Sequence, residues 1–498
     1  MGVCSWRGSK FFSTRPFDSD RLSGLLEGLE ASILTLSMAM KGNRDLRIDS
    51  PYFSQAAIAV DEMVSQKTPH EIKDVSSDVR SFGAYALTNE FDYQDEGIPY
   101  LRGTNFAGDF VDFAEVLRIS PEAHKLLYKS EVVPGMVLLS MSGSVGSVTV
   151  ALDSWNYPIN SNQDIAKITP SSIDPFYLAA FLSCTFGRTQ INRLPVGSVQ
   201  QHVFLWMIER IKVPRFSFSF ESAVARIMQK AYESHELVSQ YFIEAENTLL
   251  GALGLANWTP PEPLSYTARS NDVIAAGRMD AQFFSSKYDE FLNDLPASGV
   301  EVRSIRDIRA YNARGLQPEY VAGGDVFVVN SRHILEARVD YDNLERTTTK
   351  WLNINERARL KSGDILTYTT GAKIGRTAHF DLESPAVASN HVNILRLREG
   401  NPVYVAFVMN SLVGRLQTER HMSGTAQPEL YPGDIDKFKI PFIPDEIQSL
   451  ISNSLRRSEE SKSQARYFVE VARNAVEIAI KGEESNAMES LHQVKGID

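Results

Sequence analysis

The segment Gly187-Arg188-Thr189-Gln190 recurs 227 residues later as Gly414-Arg415-Leu416-Gln417. The same offset relates Gly197-Ser198-Val199-Gln200 to Gly424-Thr425-Ala426-Gln427, and Val213-Pro214 to Ile440-Pro441. Solenoid repeats are roughly 20 to 50 residues long, so a period of this length has a different origin. We conclude that the chain holds two copies of one domain.

The repeat extends outward from these segments in both directions. Arg47-Ile48-Asp49 matches Arg278-Met279-Asp280 at an offset of 231, Ser161-Asn162 matches Ser389-Asn390 at 228, and Tyr241-Phe242 matches Tyr467-Phe468 at 226. The drifting offset indicates small loop insertions within one shared fold. The pattern predicts an N-terminal extension 1–46, a mixed domain 47–215, a long helix 216–256, a linker 257–277, a second mixed domain 278–442, a second long helix 443–482 and a tail 483–498.

Each copy begins with a region in which short β-rich runs alternate with helical stretches. Gly, Asn and Pro residues bound the β-rich runs, which are 136–140, 145–152, 325–330 and 365–370. Helices over 176–186 and 403–416 are predicted to start at Pro175 and Pro402, because proline suits the first position of a helix. We therefore expect a mixed α+β class in both copies.

Each copy ends in a long helical segment with a heptad pattern. Apolar or small residues are spaced alternately four and three apart from Phe220 to Ala252, and again from Ile447 to Ala479. At about 1.5 Å per residue each helix is roughly 50 Å long. The pattern predicts an antiparallel, coiled-coil-like pair with a pseudo-two-fold relation, acting as a spacer between the domains. The alternative is that each helix packs only on its own domain.

The composition is that of an ordinary globular protein of 498 residues, with 43% hydrophobic and 23% charged residues. Its 2 cysteines are too few for a disulfide framework. No segment resembles an export signal or a membrane span, so we expect a cytoplasmic protein.

The net charge of −11 argues against a nucleic-acid partner. Local charge decides phosphate binding, however, and segments 186–215 and 346–376 have net charges of +4 and +5.

No catalytic constellation stands out in the sequence. Phosphate-binding loops, zinc-binding helices, nucleophile elbows and paired CxxC motifs have no counterpart in it. Glu71-Ile72-Lys73 fits the tail of a nuclease metal site, but the second copy has Glu301-Val302-Arg303, which favours a structural role in both. Asp174-Pro175-Phe176-Tyr177 is similar to a loop of adenine methyltransferases, and a helix start explains it better. We expect no catalytic, cofactor-binding or metal-binding residue.

Two glycine-punctuated turns and two polar segments are the candidates for contact with DNA. A hairpin turn is the simplest explanation of 142–146 and 370–375, and contact between their backbone amides and an anion is the alternative. The polar segments hold Arg, Gln and His side chains, and Arg and Gln suit the edges of guanine and adenine. Capping of a helix or turn is the alternative role for these residues. The candidates are Ser142, Ser144, Arg188, Arg193, Ser198, Gln200, Gln201, His202, Lys373, Arg376, Arg415, Arg420, His421, Thr425 and Gln427.

Taken in order, these pieces resemble the specificity subunit of type I restriction-modification systems. The resemblance rests on residues 135–146, on Asn162-Gln163-Asp164-Ile165-Ala166-Lys167-Ile168, on 187–201, and on Val213-Pro214 before a long helix. It covers both halves, about residues 47–482, and the ordered combination is specific. The second copy departs from it with Ser389-Asn390-His391-Val392 and with an extra residue near Gly375. The resemblance does not extend to residues 1–46 or to the tail after Gly482.

The resemblance implies two target recognition domains, each followed by a spacer helix and each reading one half of a bipartite, asymmetric sequence in double-stranded DNA. It implies further that the helices dock two modification (methyltransferase) subunits and that restriction (endonuclease and translocase) subunits join the complex. S-adenosylmethionine, ATP and Mg²⁺ are then expected on partner subunits, with no cofactor on this non-catalytic chain and no membrane partner. Two alternatives stay open. One is a specificity subunit for a fused methyltransferase-nuclease of type II, and the other is a scaffold that does not read DNA.

Overall fold

The computed structural model describes residues 34–40, 43, 45–81, 91–114, 116–197, 201–261, 265–297, 299–335, 337–424 and 427–494. The contacts of the chain divide it into two compact units. Unit 1 consists of residues 1–237 and 461–498, and unit 2 consists of residues 238–460. Each unit therefore combines one mixed domain with a part of each long helix.

Unit 1 has the mixed architecture that the sequence predicts. Its shorter helices are Leu36–Met40, Gln55–Ser65, Ile72–Val75, Pro121–Leu126, Pro175–Ser183, Thr185–Asn192 and Leu205–Ile208, with 3₁₀ turns at Gly103–Asn105 and Tyr128–Ser130. One sheet has the order Ser76–Arg80, Ile165–Pro170, Val137–Ser140, Val148–Val150, and a second has the order Leu117–Ile119, Ile98–Leu101, Ile159–Ser161, Glu131–Val132. Two short pairs join His70–Glu71 to Lys212–Val213 and Phe106–Ala107 to Phe110–Val111.

The strand Val137–Ser140 is buried on both of its faces. Val137 and Leu139 belong to a core that includes helix Pro175–Ser183, whereas Leu138 packs with residues of the second sheet. This alternation follows from the period of two along a strand. A strand that is covered on both faces has apolar residues at consecutive positions rather than at alternate ones. The sequence Val137-Leu138-Leu139 has this pattern.

Unit 2 repeats this architecture. Its shorter helices are Ser270–Ala276, Ser286–Ala297, Ile305–Ile308, Thr349–Ile354, Pro402–Asn410, Leu412–His421 and Pro432–Ile435, with 3₁₀ turns at Gln282–Phe284, Ser331–His333 and Glu356–Ala358. A five-stranded sheet has the order Arg309–Arg314, Val392–Leu397, Ile365–Tyr368, Thr377–His379, Ala337–Arg338. A three-stranded sheet has the order Glu345–Thr347, Val326–Val329, Ala386–Ala388, and Glu301–Ser304 pairs with Lys439–Phe442.

The helices predicted at 176–186 and 403–416 are each two helices in the structure. The first of each pair starts as predicted, because the side chains of Asp174 and Asn401 accept the backbone N–H groups that follow the proline. It ends at Cys184 or Ser411, where the backbone is extended (ψ 170° and 176°) and a new helix begins. The prediction of one continuous helix was therefore wrong.

The glycine of the repeated Gly-Arg-x-Gln motif allows this change of direction. A Cβ atom on Gly187 would collide with the carbonyl oxygen of Phe181 in the preceding helix, and one on Gly414 would collide with that of Met409. Only a residue without a side chain permits so close an approach of two backbones. The motif that reveals the repeat thus begins with a packing residue.

The two long helices are Phe218–Ala252 and Asp445–Lys481, and they pack on each other as well as on the mixed domains. In unit 1 the early residue Phe220 shares a core with the late residue Ala479. In unit 2 the Oγ of Ser458 donates a hydrogen bond of 3.0 Å to the carbonyl oxygen of Val238. As the residue numbers rise along the first helix, those of the residues beside it on the second helix fall. The pair is therefore antiparallel and coiled-coil-like, as predicted.

Residues beyond the second long helix belong to the fold of unit 1. The helix Glu484–His492 buries Ala487 and Leu491 in the same core as Phe220. The carboxylate of Glu484 accepts the backbone N–H of Ser217 at 3.1 Å, just before the first long helix starts. None of the helices that the structure describes is both long enough and apolar enough to cross a membrane.

Candidate nucleic-acid interface

The first glycine turn connects two neighbouring strands of unit 1, Val137–Ser140 and Val148–Val150. Gly143 and Gly146 have positive φ angles of 66° and 85°, which suit glycine and which bend the chain back on itself. The N–H of Gly146 donates to the carbonyl oxygen of Ser140 at 3.0 Å. The hairpin interpretation of this turn is therefore correct, and Ser144 lies exposed in it.

A polar loop folds against this turn. Val196 and His202 exchange two backbone hydrogen bonds of 3.1 Å, and His202 also forms a β-bridge with Ser142. The N–H of Val203 donates to the carbonyl oxygen of Met141 at 3.1 Å. Two sequence segments that were candidates separately are thus brought into contact.

Two further segments complete the site in unit 1. The N–H of Asn162 donates to the carbonyl oxygen of Leu101 at 2.9 Å, and that of Met141 to the carbonyl oxygen of Asp164 at 2.7 Å. A Cβ atom on Gly103 would lie 3.3 Å from the Oγ of Ser140. We call the meeting point of 102–105, 140–146, 162–164, 196–197 and 201–202 the unit 1 junction.

Unit 2 has an equivalent junction. The N–H of Thr369 donates to the carbonyl oxygen of His391 at 3.1 Å, and that of Leu430 to the carbonyl oxygen of Thr369 at 2.9 Å. Glu429 forms β-bridges with both Thr370 and Ser423, as His202 does in unit 1. The unit 2 junction is formed by 330–333, 369–376, 390–391, 423–424 and 427–430. The fold therefore builds the same site twice, with different side chains.

The junctions collect about half of the candidate residues. Ser142, Ser144, Gln201 and His202 lie in the unit 1 junction, and Lys373, Arg376 and Gln427 lie in the unit 2 junction. Gln201, Lys373 and Gln427 are exposed, and His202 is half-buried with its ring 5.1 Å from that of Phe204. The candidates Ser198, Gln200 and Thr425 lie outside the described residues.

Arg193 and Arg420 are placed in equivalent structural contacts. Arg193 pairs with Asp61 at 3.3 Å and lies over the ring of Tyr52 at 5.1 Å. Arg420 pairs with Asp289 at 2.7 Å and lies over the ring of Phe283, also at 5.1 Å. A second arginine stacks on each ring as well: Arg47 on Tyr52 at 4.8 Å and Arg278 on Phe283 at 4.7 Å.

Arg188 and Arg415, which share a place in the repeated motif, differ in their partners. Arg415 donates to the carbonyl oxygen of Asn410 and to the carboxylate of Glu246 on the first long helix, both at 2.9 Å. Arg188 is exposed. Burial raises the pKa of the Asp109 carboxyl, and the positive charges of Arg473 and Arg188 oppose that rise. Arg188 therefore keeps a guanidinium facing solvent, whereas that of Arg415 is engaged by the fold.

His421 is a buried residue, and its imidazole is stacked on the ring of Phe438 at 5.9 Å. Burial is the main cause that lowers its pKa to about 4, and the nearby charge of Lys437 adds to the effect. The imidazole is neutral at physiological pH. Its place in the repeat is taken by Leu194 in unit 1, and the backbone carbonyls of both residues accept hydrogen bonds from equivalent arginines.

The glutamine of the Gly-Arg-x-Gln motif binds a strand rather than facing solvent. The amide nitrogen of Gln190 donates to the carbonyl oxygen of Lys212 at 2.9 Å, and its oxygen accepts the N–H of Lys212 at 3.0 Å. Gln417 makes the same two hydrogen bonds to Lys439. The first and last residues of the motif thus serve packing and strand pairing in both units.

The two basic segments differ in how far the fold neutralises them. In segment 186–215 four of the five cations form ion pairs with acidic residues of unit 1: Arg193 and Lys212 with Asp61, Arg210 with Asp45, and Arg215 with Glu221. In segment 346–376 ion pairs within the described part of unit 2 are lacking for Lys350, Arg357, Arg359, Lys361 and Lys373. Of the two segments, 346–376 therefore presents the larger free positive charge.

Sequence reasoning did not select Arg102, which follows the strand Ile98–Leu101 and enters the unit 1 junction. Asn330 has the equivalent position in unit 2, after the strand Val326–Val329. The repeat offset could have aligned these positions, but their side chains share neither size nor charge. The available signal was an Arg-Gly pair directly after a buried strand.

The solved structures that are similar to the chain include three that cover more than four fifths of it. An S subunit of a type I restriction-modification system from M. genitalium is 11% identical, with a TM-score of 0.36 and coverage of 85% of this chain and 95% of that one. The HsdS subunit from Thermoanaerobacter tengcongensis is 10% identical, with a TM-score of 0.27 and coverage of 83% and 96%.

The third structure comes from work on assembly and conformational transition of the type I R-M system. It is 12% identical, with a TM-score of 0.29 and coverage of 85% of this chain and 97% of the other. No protein-family model and no curated protein matches the sequence. The resemblance of the chain to the specificity subunits of type I restriction-modification systems rests on its ordered sequence motifs, 135–146, 162–168, 187–201 and Val213-Pro214.

Proposed function

We propose that this chain is the non-catalytic subunit that selects the DNA sequence in a type I restriction-modification complex. Each unit reads one half of a bipartite, asymmetric target in double-stranded DNA, and the long helices dock two adenine-methylating modification subunits. Restriction subunits join that complex, and S-adenosylmethionine, ATP and Mg²⁺ are bound by the partners. The observation that carries the proposal is the pair of equivalent junctions.

A junction of this kind suits base reading. Its loops are held by backbone hydrogen bonds, so polar side chains such as Gln201 and Gln427 project from a rigid base. Equivalent positions hold different groups, as with His202 and Glu429. A duplicated site with different readers is what recognition of two unlike half-sites requires, because bases are distinguished by their donor and acceptor patterns.

The exposed charges support a division of labour with partner subunits. The chain has a net charge of −11, so long-range attraction between the whole chain and DNA is weak. The unpaired cations of segment 346–376 provide local phosphate contacts, which position a protein on the duplex without specifying sequence. We expect the isolated chain to bind DNA weakly and the assembled complex to bind it tightly.

The long helices offer apolar surface for the modification subunits. In unit 2, Ile243 and Leu450 on the two helices have 55% and 58% of their surface exposed. In unit 1, Leu237 and Tyr467 are exposed to a lesser extent. Large apolar side chains in the core of an interface contribute most of its binding energy.

Sequencing of genomic DNA from the source cells, with and without this gene, tests the proposal. N6-methyladenine is scored by sequence motif with single-molecule reads. Loss of one gapped, bipartite motif on deletion supports the proposed role and gives the target. An unchanged methylome in cells that make intact modification subunits favours the scaffold that does not read DNA. Purification with the partners then distinguishes separate subunits from a fused methyltransferase-nuclease.

A further inference from the structure

Arg102 stands at the centre of the unit 1 junction. It follows Leu101, whose strand pairs in parallel with the strand ending at Ser161. On one side Gly103 lies against Ser140 of the glycine turn, and on the other Asn162 is hydrogen-bonded to Leu101. The backbone on both sides of Arg102 is therefore fixed by the fold.

Within the described part of unit 1, the guanidinium of Arg102 has neither a hydrogen-bond acceptor nor an ion-pair partner. Its Nε atom is buried and lacks a hydrogen-bond acceptor, and no described carboxylate of unit 1 pairs with it. Five other arginines of unit 1 form ion pairs with acidic residues: Arg47 with Asp49, Arg193 with Asp61, Arg210 with Asp45, Arg215 with Glu221 and Arg473 with Asp109. A buried N–H without an acceptor is unfavourable, and a ligand that supplies acceptors to this guanidinium would offset that cost.

The equivalent position in unit 2 is closed to a ligand. Asn330 follows a strand that pairs in parallel with Ala386–Ala388, as the strand before Arg102 pairs with Ile159–Ser161. Its Nδ2 atom donates to the carboxylate of Glu345 at 2.8 Å, and its Oδ1 atom accepts the N–H of Arg332 at 3.2 Å. Both ends of this amide are occupied within the unit.

We propose that Arg102 reads a guanine in the half-site contacted by unit 1, and that unit 2 reads no base from the matching position. This inference rests on the proposed function. A guanidinium presents two parallel N–H donors, and guanine presents O6 and N7 as two acceptors at matching spacing in the major groove. A contact with a phosphate needs only a positive charge and can be made by a flexible side chain. The side chain of Arg102 is instead held in place by its buried Nε atom and by the fixed backbone around it.

The test uses the complete complex with its modification subunits and a library of duplexes with randomised half-sites. Transfer of methyl groups is scored by sequencing, first for the wild type and then for Arg102→Ala and Arg102→Lys. We expect both variants to lose preference for guanine at one position of one half-site, by roughly fivefold to a hundredfold. Lysine keeps the charge and loses the two-pronged geometry, so it does not restore the preference.

Controls separate this inference from the proposed function and from misfolding. Lys125→Ala, which removes an exposed cation on the helix Pro121–Leu126, is the matched control and leaves all base preferences unchanged. Asn330→Ala tests the second part of the inference, and loss of the preference for a single base in the other half-site contradicts that part. Thermal unfolding confirms that each variant is folded. Unchanged preference in Arg102→Ala, or full restoration by lysine, overturns the inference alone. A wild-type complex that methylates the library without sequence preference overturns the proposed function itself.

Discussion

Arg193 holds its guanidinium carbon 5.1 Å from the centre of the Tyr52 ring, while Arg47 lies 4.8 Å from the same centre. Unit 2 repeats the arrangement with Arg420 and Arg278 on Phe283. Cations attract the face of an aromatic ring, and the nearby carboxylates offset the repulsion between the two arginines. The two candidates Arg193 and Arg420 are thus positioned to stabilise their units.

Replacement of Arg193 by alanine is expected to lower stability and to leave sequence recognition unchanged. The loss of the half-buried ion pair with Asp61 and of the contact with Tyr52 costs about 1–2 kcal/mol. Arg188→Ala is the matched control, because Arg188 is exposed and its removal leaves the melting temperature unchanged. Thermal unfolding of both variants measures the difference. A variant Arg193→Ala that melts like the wild type but recognises a different half-site contradicts the structural role.

Gly187→Ala is expected to destabilise unit 1 strongly. The new methyl group meets the carbonyl oxygen of Phe181, so the two helices must separate. Overpacking of this kind costs about 1–3 kcal/mol, and more where backbone must move. Gly251→Ala, in the first long helix with open space around it, is expected to stabilise by up to about 1 kcal/mol. Equal melting temperatures for the two variants contradict the close helix contact.

Acidification is expected to weaken unit 2 through His421. Its pKa is about 4 in the fold and about 6.5 in the unfolded chain, so between these values the unfolded chain binds a proton that the fold excludes. The free energy of unfolding is therefore highest above pH 6.5. It falls as the pH is lowered, by up to about 2 kcal/mol at pH 5.

Leucine is the natural replacement for His421, because Leu194 has this position in unit 1. Denaturant unfolding at pH 7 and pH 5 should show a smaller loss in His421→Leu than in the wild type. His235 in unit 1, whose pKa burial also lowers to about 4, contributes its own loss in both proteins. An identical pH dependence of the two proteins rules out a buried neutral His421.

Lys373→Ala tests the phosphate contacts of the unit 2 junction. Lys373 is exposed in the glycine turn, so its loss should weaken DNA binding of the complex equally for all sequences. The plot of log affinity against log salt concentration has a negative slope, and this slope should become less steep by about 0.9. Lys287→Ala removes a cation already paired with Glu419 at 3.0 Å and should leave the slope unchanged. A change in the preferred sequence would instead assign Lys373 to base reading.

The repeat, the mixed class and the long helices could be predicted because local patterns carry them. Heptad spacing predicted the buried stripe that includes Ala465, Phe468 and Ala472. The break at Cys184 was missed, since the collision that requires Gly187 involves a backbone atom of the preceding helix and leaves no trace in apolar spacing.

The candidate site was predicted less completely. The sequence predicted the glycine turns and the polar loops as separate candidates, and their contact depends on tertiary packing that the sequence pattern does not show. The partners of Arg193 and Arg420 could not be predicted, since Asp61 lies 132 residues away from Arg193 in the sequence and pairs with it only through tertiary packing. Arg102 could not be predicted from the sequence either. It is a candidate because it lacks a partner within the described part of unit 1, and the absence of a tertiary contact leaves no sequence pattern.

Unit 1 is formed by two stretches of the chain that lie far apart in the sequence, and this affects its folding during synthesis on the ribosome. Its core joins residues before 238 to residues after 460, and the second group includes Phe468 and Ala475. At rates of about 5–20 residues per second, the intervening stretch takes roughly 10 to 45 s to translate. Unit 2 has all its residues before unit 1 does. The first domain to emerge is therefore the last to be completed, and the apolar surface that the residues after 460 cover stays exposed until they have been made.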